Sequence, residues 1–151
     1  MNHISKKEKI KDVFIDGAIT SEFISKSVKA HQSKTNIGAH NIFLGQVRAD
    51  NKNGKIVKAI EYEAYKDMAN KKFHDIKEST FEKFNITCMH IYHSLGYVNA
   101  GEISLFVFVS SARRDIVFKS LNFVVEEIKK EVPIFGKEFF SNESYKWKQN
   151  L

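Results

Sequence analysis

The run SSARRDIVFKSLNFVVEEIKKEVPIFGKE, from Ser110 to Glu138, constrains this chain more than any other stretch and holds its sole proline. Val117, Leu121, Val124 and Ile128 recur at spacings of four, three and four, the period of a helix buried along one face. Phe118, Val125 and Val132 widen the stripe. Ser110 or Ser111 is placed to accept a hydrogen bond from a first-turn amide, and Asp115 suits the positive helix end. Pro133 biases Val132 away from helical geometry and ends the helix there. The stretch therefore predicts a strand end, a long helix and a Pro-terminated exit.

Its basic residues say more. Arg113 and Arg114 stand at the helix N-terminus, where the dipole disfavours cations by about 0.3–1 kcal/mol. An arginine fork beside free helix-start amides makes an anion site. Lys129 and Lys130 sit where the dipole favours cations, and Lys137 follows the exit. Arg113 and Lys129 are sixteen residues apart, roughly 24 Å of rise and nearly opposite faces of one helix. They do not reach one small ligand from the same chain. Either they are unrelated surface features, which periodicity alone favours, or a second copy brings its arginines to this chain's lysines.

Composition sets the frame. The 151 residues, 42% hydrophobic with thirteen phenylalanines, suit a single core. A net charge of +6 points to anionic partners without choosing among nucleic acid, phosphorylated metabolites and an acidic protein. One cysteine, Cys88, excludes an intrachain disulfide framework and a cysteine cluster for zinc or iron–sulfur, and reads as a buried structural thiol. No segment has the length of a signal peptide's apolar core or of a membrane span, so a cytoplasmic protein is expected. No resident metal or cofactor is expected.

Residues 1–11 read as a solvated basic tail and residues 12–151 as a single domain. Residues 12–18 predict a strand, and Thr20 caps a helix running from Ser21 to about His31 with Phe23, Ile24 and Val28 inward. Residues 36–48 predict a strand ending at Arg48, whose bland reading is a surface arginine and whose sharper one is a phosphate ligand. Asn53-Gly54 marks a turn into a strand over 56–64. There Glu61 and Glu63 share a face, better explained by solvation or lysine partners than by a metal. A helix over 67–84 buries Met68, Phe73, Ile76, Thr80 and Phe84. His90 and His93 fall on opposite faces of a strand over 85–93. Gly96 and Gly101 turn the chain into a central strand over 102–110, and a hairpin about Ser141 and Asn142 closes it. Trp147 either seals the core or lines a site. Together these elements make an α+β domain with a mixed, mostly antiparallel sheet.

Three separated pieces in register, GQVR at 45–48, HSLGYVNAGEISLFVFVSSARR at 93–114 and KKEVPIFGKE at 129–138 with the tryptophan strand after it, resemble the large, catalytic subunit of molybdopterin synthase. The resemblance spans about Gly38 to Trp147. It implies an α/β-hammerhead fold and a homodimer core of a heterotetramer, each large subunit binding a small ubiquitin-like sulfur carrier. It implies a sulfurtransferase that moves sulfur from the carrier's C-terminal thiocarboxylate to cyclic pyranopterin monophosphate, forming the dithiolene.

By the same resemblance Arg48 and Arg114 match substrate-binding arginines, and Lys129 the essential lysine four before the proline. Gln46, Val47, Arg113, Gly136, Lys137 and Glu138 complete the expected substrate site, with Lys129 and Lys137 catalytic. The family histidine is Arg113 here, a permanent cation in place of a proton-transfer group. The second family lysine is Gly136. Lys137, one place later, partly replaces it if a bulge turns it to that face. Two other readings stand beside this one: a noncatalytic anion- or RNA-binding α+β module, and a carrier-docking paralogue with weakened catalysis.

Overall fold

The computed structural model describes residues 9–142 and 144–148; most of the expected tail lies outside the described residues. The order is β1 (Phe14–Asp16), α1 (Ser21–Ala30), β2 (Ala39–Gln46), β3 (Asn51–Lys52), β4 (Lys55–Ala64), α2 (Lys66–Lys83), β5 (Cys88–Asn99), β6 (Ile103–Ser111), α3 (Arg114–Glu131), β7 (Ile134–Phe140) and β8 (Tyr145–Lys148). The sheet runs β2-β6-β5-β4-β7-β8, with β1 added parallel to β5 and β3 paired to β4. The remaining pairings are antiparallel. No described helix is long and apolar enough to cross a membrane.

β6, expected at the centre from its apolar run, is an interior strand second from the β2 edge, with β5 and β4 at the middle of the sheet. Leu105, Val107 and Val109 face α2 and α3, in a core shared with Phe73, Met89, Val117 and Val124. Phe106 and Phe108 face α1 through Ile19, Phe23 and Ile24. Period-two alternation thus buries both faces of one strand. Each fully buried Val, Leu or Ile of the α3 stripe contributes about 1.5–3 kcal/mol, which holds the helix along β2 and β6.

Thr20 caps α1, its Oγ1 accepting the Phe23 amide at 3.1 Å, and Val132 leaves α3 in extended geometry before Pro133. The Asn53-Gly54 turn has both residues at positive φ. Other expectations are corrected. Phe118 and Met68 are 60% and 58% exposed, on the outer flanks of helices whose stripes are narrower than the spacing suggests. Neither Ser110 nor Ser111 caps α3 well. The Ser110 hydroxyl pairs with His40 Nδ1 at 2.7 Å and Ser111 donates to Asn85 O at 2.9 Å, leaving a long 3.5 Å contact from the Arg113 amide.

The strand expected to end at His93 runs on to Asn99. Gly96 does not end it: at φ 81°, which glycine adopts without strain, it bends β5. Up to His93 β5 pairs with β6, and from Gly96 with β4. One strand thereby serves both halves of the sheet. Cys88 is buried, its sulfur accepting from Lys34 Nζ at 2.9 Å.

Candidate functional site

β6 leads directly into α3, which returns along it, so chain direction decides which residues meet. Asn41, near the start of β2, donates to Val117 O in the first turns of α3. The start of β2 and the arginine pair therefore share one end of the molecule. Over its eight residues β2 travels roughly 25 Å to Gln46, so Arg48 lies at the other end, where α3 finishes with Lys129. The Gly136 level of β7 joins that same end. Gly136 pairs with Tyr62, whose hydroxyl donates to Ser104 Oγ at 3.2 Å, and Ser104 Oγ reaches Gly45 O at 3.4 Å. Burial raises the Tyr62 pKa and Ser104 opposes the rise, so the phenol stays a neutral link.

At the first end Arg113, Arg114 and Asp115 line an open depression of about 560 Å³ with Gly38 and Ala112. Gly38 is required there: a Cβ would collide with the Ala112 carbonyl oxygen. Arg113 is the N-cap of α3 and makes no side-chain cap bond, leaving first-turn amides for a ligand. Its Nε lies 3.5 Å from Asp115 Oδ1, with 80% of the side chain exposed. The guanidinium is largely solvated.

At the second end Gln46 is exposed after a bulge, and Arg48 is held by Asp50 at 2.6 Å while 82% of its side chain stays in solvent. Lys129 is exposed in the last turn of α3. Val47 and Glu138, expected at the ligand, are instead enclosed. Val47 is 2% exposed in a core with Val57 and Ile60, its amide and carbonyl engaged by Glu102 and Gly101. Glu138 is 1% exposed and bound to Lys52 Nζ at 2.7 Å.

The bulge that would turn Lys137 to the face of Gly136 is missing. The register Tyr62↔Gly136, Glu61↔Lys137, Ile60↔Glu138 is uninterrupted, so Lys137 points the opposite way. Its ammonium sits 3.9 Å from the Tyr145 ring centroid and 5.5 Å from that of Trp147. Trp147 is 49% exposed and lines this outer aromatic face rather than sealing the core. Gly136 itself is hemmed in, since a Cβ there would lie 2.9 Å from Ile60 Cγ2.

Asp50, Lys52 and Gly38 escape sequence reasoning. Only Asp50 leaves a local signal, an acid two residues from Arg48. Lys52 meets Glu138 across 86 residues. Among the described residues no group of three or more His, Cys, Asp or Glu is arranged to hold a metal ion.

This layout, basic groups at both ends of one helix, lies largely within residues 19–131, which match the family model described as MoaE protein. The chain belongs to the MoaE protein family. It is 31% identical over 150 residues to the molybdopterin synthase catalytic subunit of Bos taurus, covering 99% of this chain and 77% of the relative. The crystal structure of molybdopterin synthase from Staphylococcus aureus superposes with a TM-score of 0.80 at 30% identity, covering 93% of this chain and 98% of that one. The complex of subunits 1 and 2 of molybdopterin-converting factor from Helicobacter pylori aligns at a TM-score of 0.73 and 20% identity over 85% and 84% of the two chains, a likeness of fold. The α/β-hammerhead architecture implied by the resemblance is thus the MoaE fold of this chain.

Proposed function

We infer that this chain is the catalytic subunit of a molybdopterin synthase, a cytoplasmic sulfurtransferase of molybdenum cofactor biosynthesis. The observation that carries the reading is the MoaE match, which runs through the arginine-lined depression at one end of α3 and Lys129 at the other. The substrate is cyclic pyranopterin monophosphate. The sulfur donor is the C-terminal thiocarboxylate of a small ubiquitin-like carrier; the Helicobacter pylori neighbour is itself a complex of subunits 1 and 2 of a molybdopterin-converting factor.

Each site is assembled from two copies of this chain. One contributes Arg48, Gln46 and Lys129, and its partner contributes Arg113 and Arg114 from the start of α3. Arginine forks bind the cyclic phosphate and the pterin's polar edge. Once the carrier's sulfur is bonded to the pterin, the Lys129 ammonium stabilises the oxyanion formed as water attacks the carrier's acyl carbon, breaking its C–S bond so that sulfur stays on the pterin and the carrier leaves as a carboxylate. Arg113 adds charge but moves no proton. Lys137, on the opposite face of β7 from Gly136, has a smaller role than Lys129 and contacts the carrier from the aromatic side.

Reconstitution with the carrier thiocarboxylate and the pterin substrate tests this, read as dithiolene formation. The wild-type chain is expected to turn over. Lys129→Ala is expected to lose at least a hundredfold in rate with its circular dichroism unchanged, and Lys137→Ala less than tenfold. Full activity in Lys129→Ala would remove that lysine from the mechanism. The absence of the Gly136 bulge keeps a second reading in view, a paralogue that docks the carrier with weakened catalysis. Carrier binding without any sulfur transfer by the wild-type chain would favour it.

A further inference from the structure

Residues 9–13 and helix α2 flank one edge of β5, and the space between them is a cavity of about 350 Å³ that shares no residue with the site above. Its floor is apolar, made by Val13, Phe73, Met89 and Ile91, each buried. Its rim is cationic. Lys9, Lys11 and Lys77 line it, Lys11 with its Nζ donating to the Tyr92 hydroxyl at 2.7 Å, against one carboxylate, Glu78, which already lies 3.4 Å from His74 Nε2.

The strand edge inside the cavity is open. The His93 amide donates to Val13 O at 3.1 Å, and alternate residues of a strand turn their amides to the same side, so Ile91 and Met89 aim theirs at this gap. The Val13 amide leaves the strand for Asn70 Oδ1 at 3.0 Å. Among the described residues no backbone bond joins residues 9–12 to β5.

His90 closes the end of the cavity, its Nε2 lying 2.9 Å from His31 Nε2. Burial first, then the charges of His31, Lys11, Lys77 and Lys34, hold its pKa down at about 4. The lysine charges among these causes favour an anion nearby, while the burial that leads them disfavours charge of either sign.

We propose that this cavity binds a small organic anion with an apolar body. The phosphate or carboxylate head meets Lys11, Lys77 and the open β5 amides, and an aromatic or short aliphatic body rests on Phe73, Met89 and Ile91. Its volume falls in the range of small-molecule sites, and the apolar floor asks for more than a bare inorganic ion.

Amide and imidazole NMR titrations of the full chain test the proposal, with phenyl phosphate, benzoate, inorganic phosphate and benzyl alcohol as probes. Phenyl phosphate or benzoate is expected to give saturable shifts at Met89, Ile91 and Lys77 and to raise the His90 pKa. Its affinity should be at least tenfold above that of inorganic phosphate and of benzyl alcohol. The tighter of the two anions identifies the head group. Lys77→Glu, at an exposed helix position, should weaken binding at least fivefold, while Arg114→Ala leaves these shifts unchanged. Equal affinity for inorganic phosphate, equal affinity for benzyl alcohol, shifts confined to Arg113 and Arg114, or no saturation would each overturn it.

Discussion

His93 is 7% exposed, its Nδ1 donating to Ser94 O at 2.7 Å, and burial lowers its pKa to about 4 from an ordinary 6.5. The unfolded chain takes up this proton near pH 6.5 and the folded chain only near 4. Between those values the unfolded state holds more protons, so stability is complete above 6.5 and declines as pH falls towards 4. At about 1.4 kcal/mol per pH unit, His93 alone should cost about 2 kcal/mol between pH 7 and pH 5, measured by urea unfolding. His93→Phe should flatten that slope. His90, also held at about 4, shifts stability in the same direction. The opposite faces of these two histidines, and their place as core or edge residues, were legible in the sequence, but their neighbours were not: Phe14 and Tyr62 surround one and His31 and Phe108 the other. Gly136 makes the same point. Its identity was plain in the chain, whereas the Ile60 methyl that occupies the space of a side chain there comes from a different strand.

Elements are also tied by polar side-chain links, and the Lys52–Glu138 pair joins β3 to β7 beside the backbone ladder that already holds β4 to β7. Lys52→Met strands a carboxylate that is 1% exposed, which costs about 1–3 kcal/mol. The partial exposure of Lys52 keeps this below the cost of breaking a fully buried pair. The double variant Lys52→Met with Glu138→Leu should recover most of the loss in a urea-unfolding cycle, since no charge is then stranded. A double variant no more stable than the single one would show that the pair matters for packing alone. At this scale the sequence was most informative where a period and a stop coincide, as in α3 with its stripe and Pro133. It was least informative at Gly96, where a turn signal marks a bend inside a continuing strand, because the partner that accepts the bend, β4, is thirty-odd residues away.

For the whole molecule, the proposed sharing of sites between two copies makes a direct prediction. Arg114→Ala and Lys129→Ala chains, each inactive alone, should complement when unfolded together and refolded. Half of the random dimers are then mixed, and each mixed dimer holds one intact site of two, so about a quarter of wild-type turnover returns. Sites completed within one chain would return none.

The sequence by itself determined the local and periodic features: helix α3 and its ends, the doubly buried β6, the Asn-Gly turn, and the motifs that carry the family resemblance. These depend on residues close in the chain, whose spacing sets which side of a helix or strand they occupy. Only the tertiary structure decided what lies between distant segments. It placed Arg48 at the Lys129 end of α3 and enclosed Val47 and Glu138. It also turned Lys137 away from the Gly136 face and opened the cavity beside β5. Those outcomes follow from strand register and chain direction, which are settled by the packing of all the elements together.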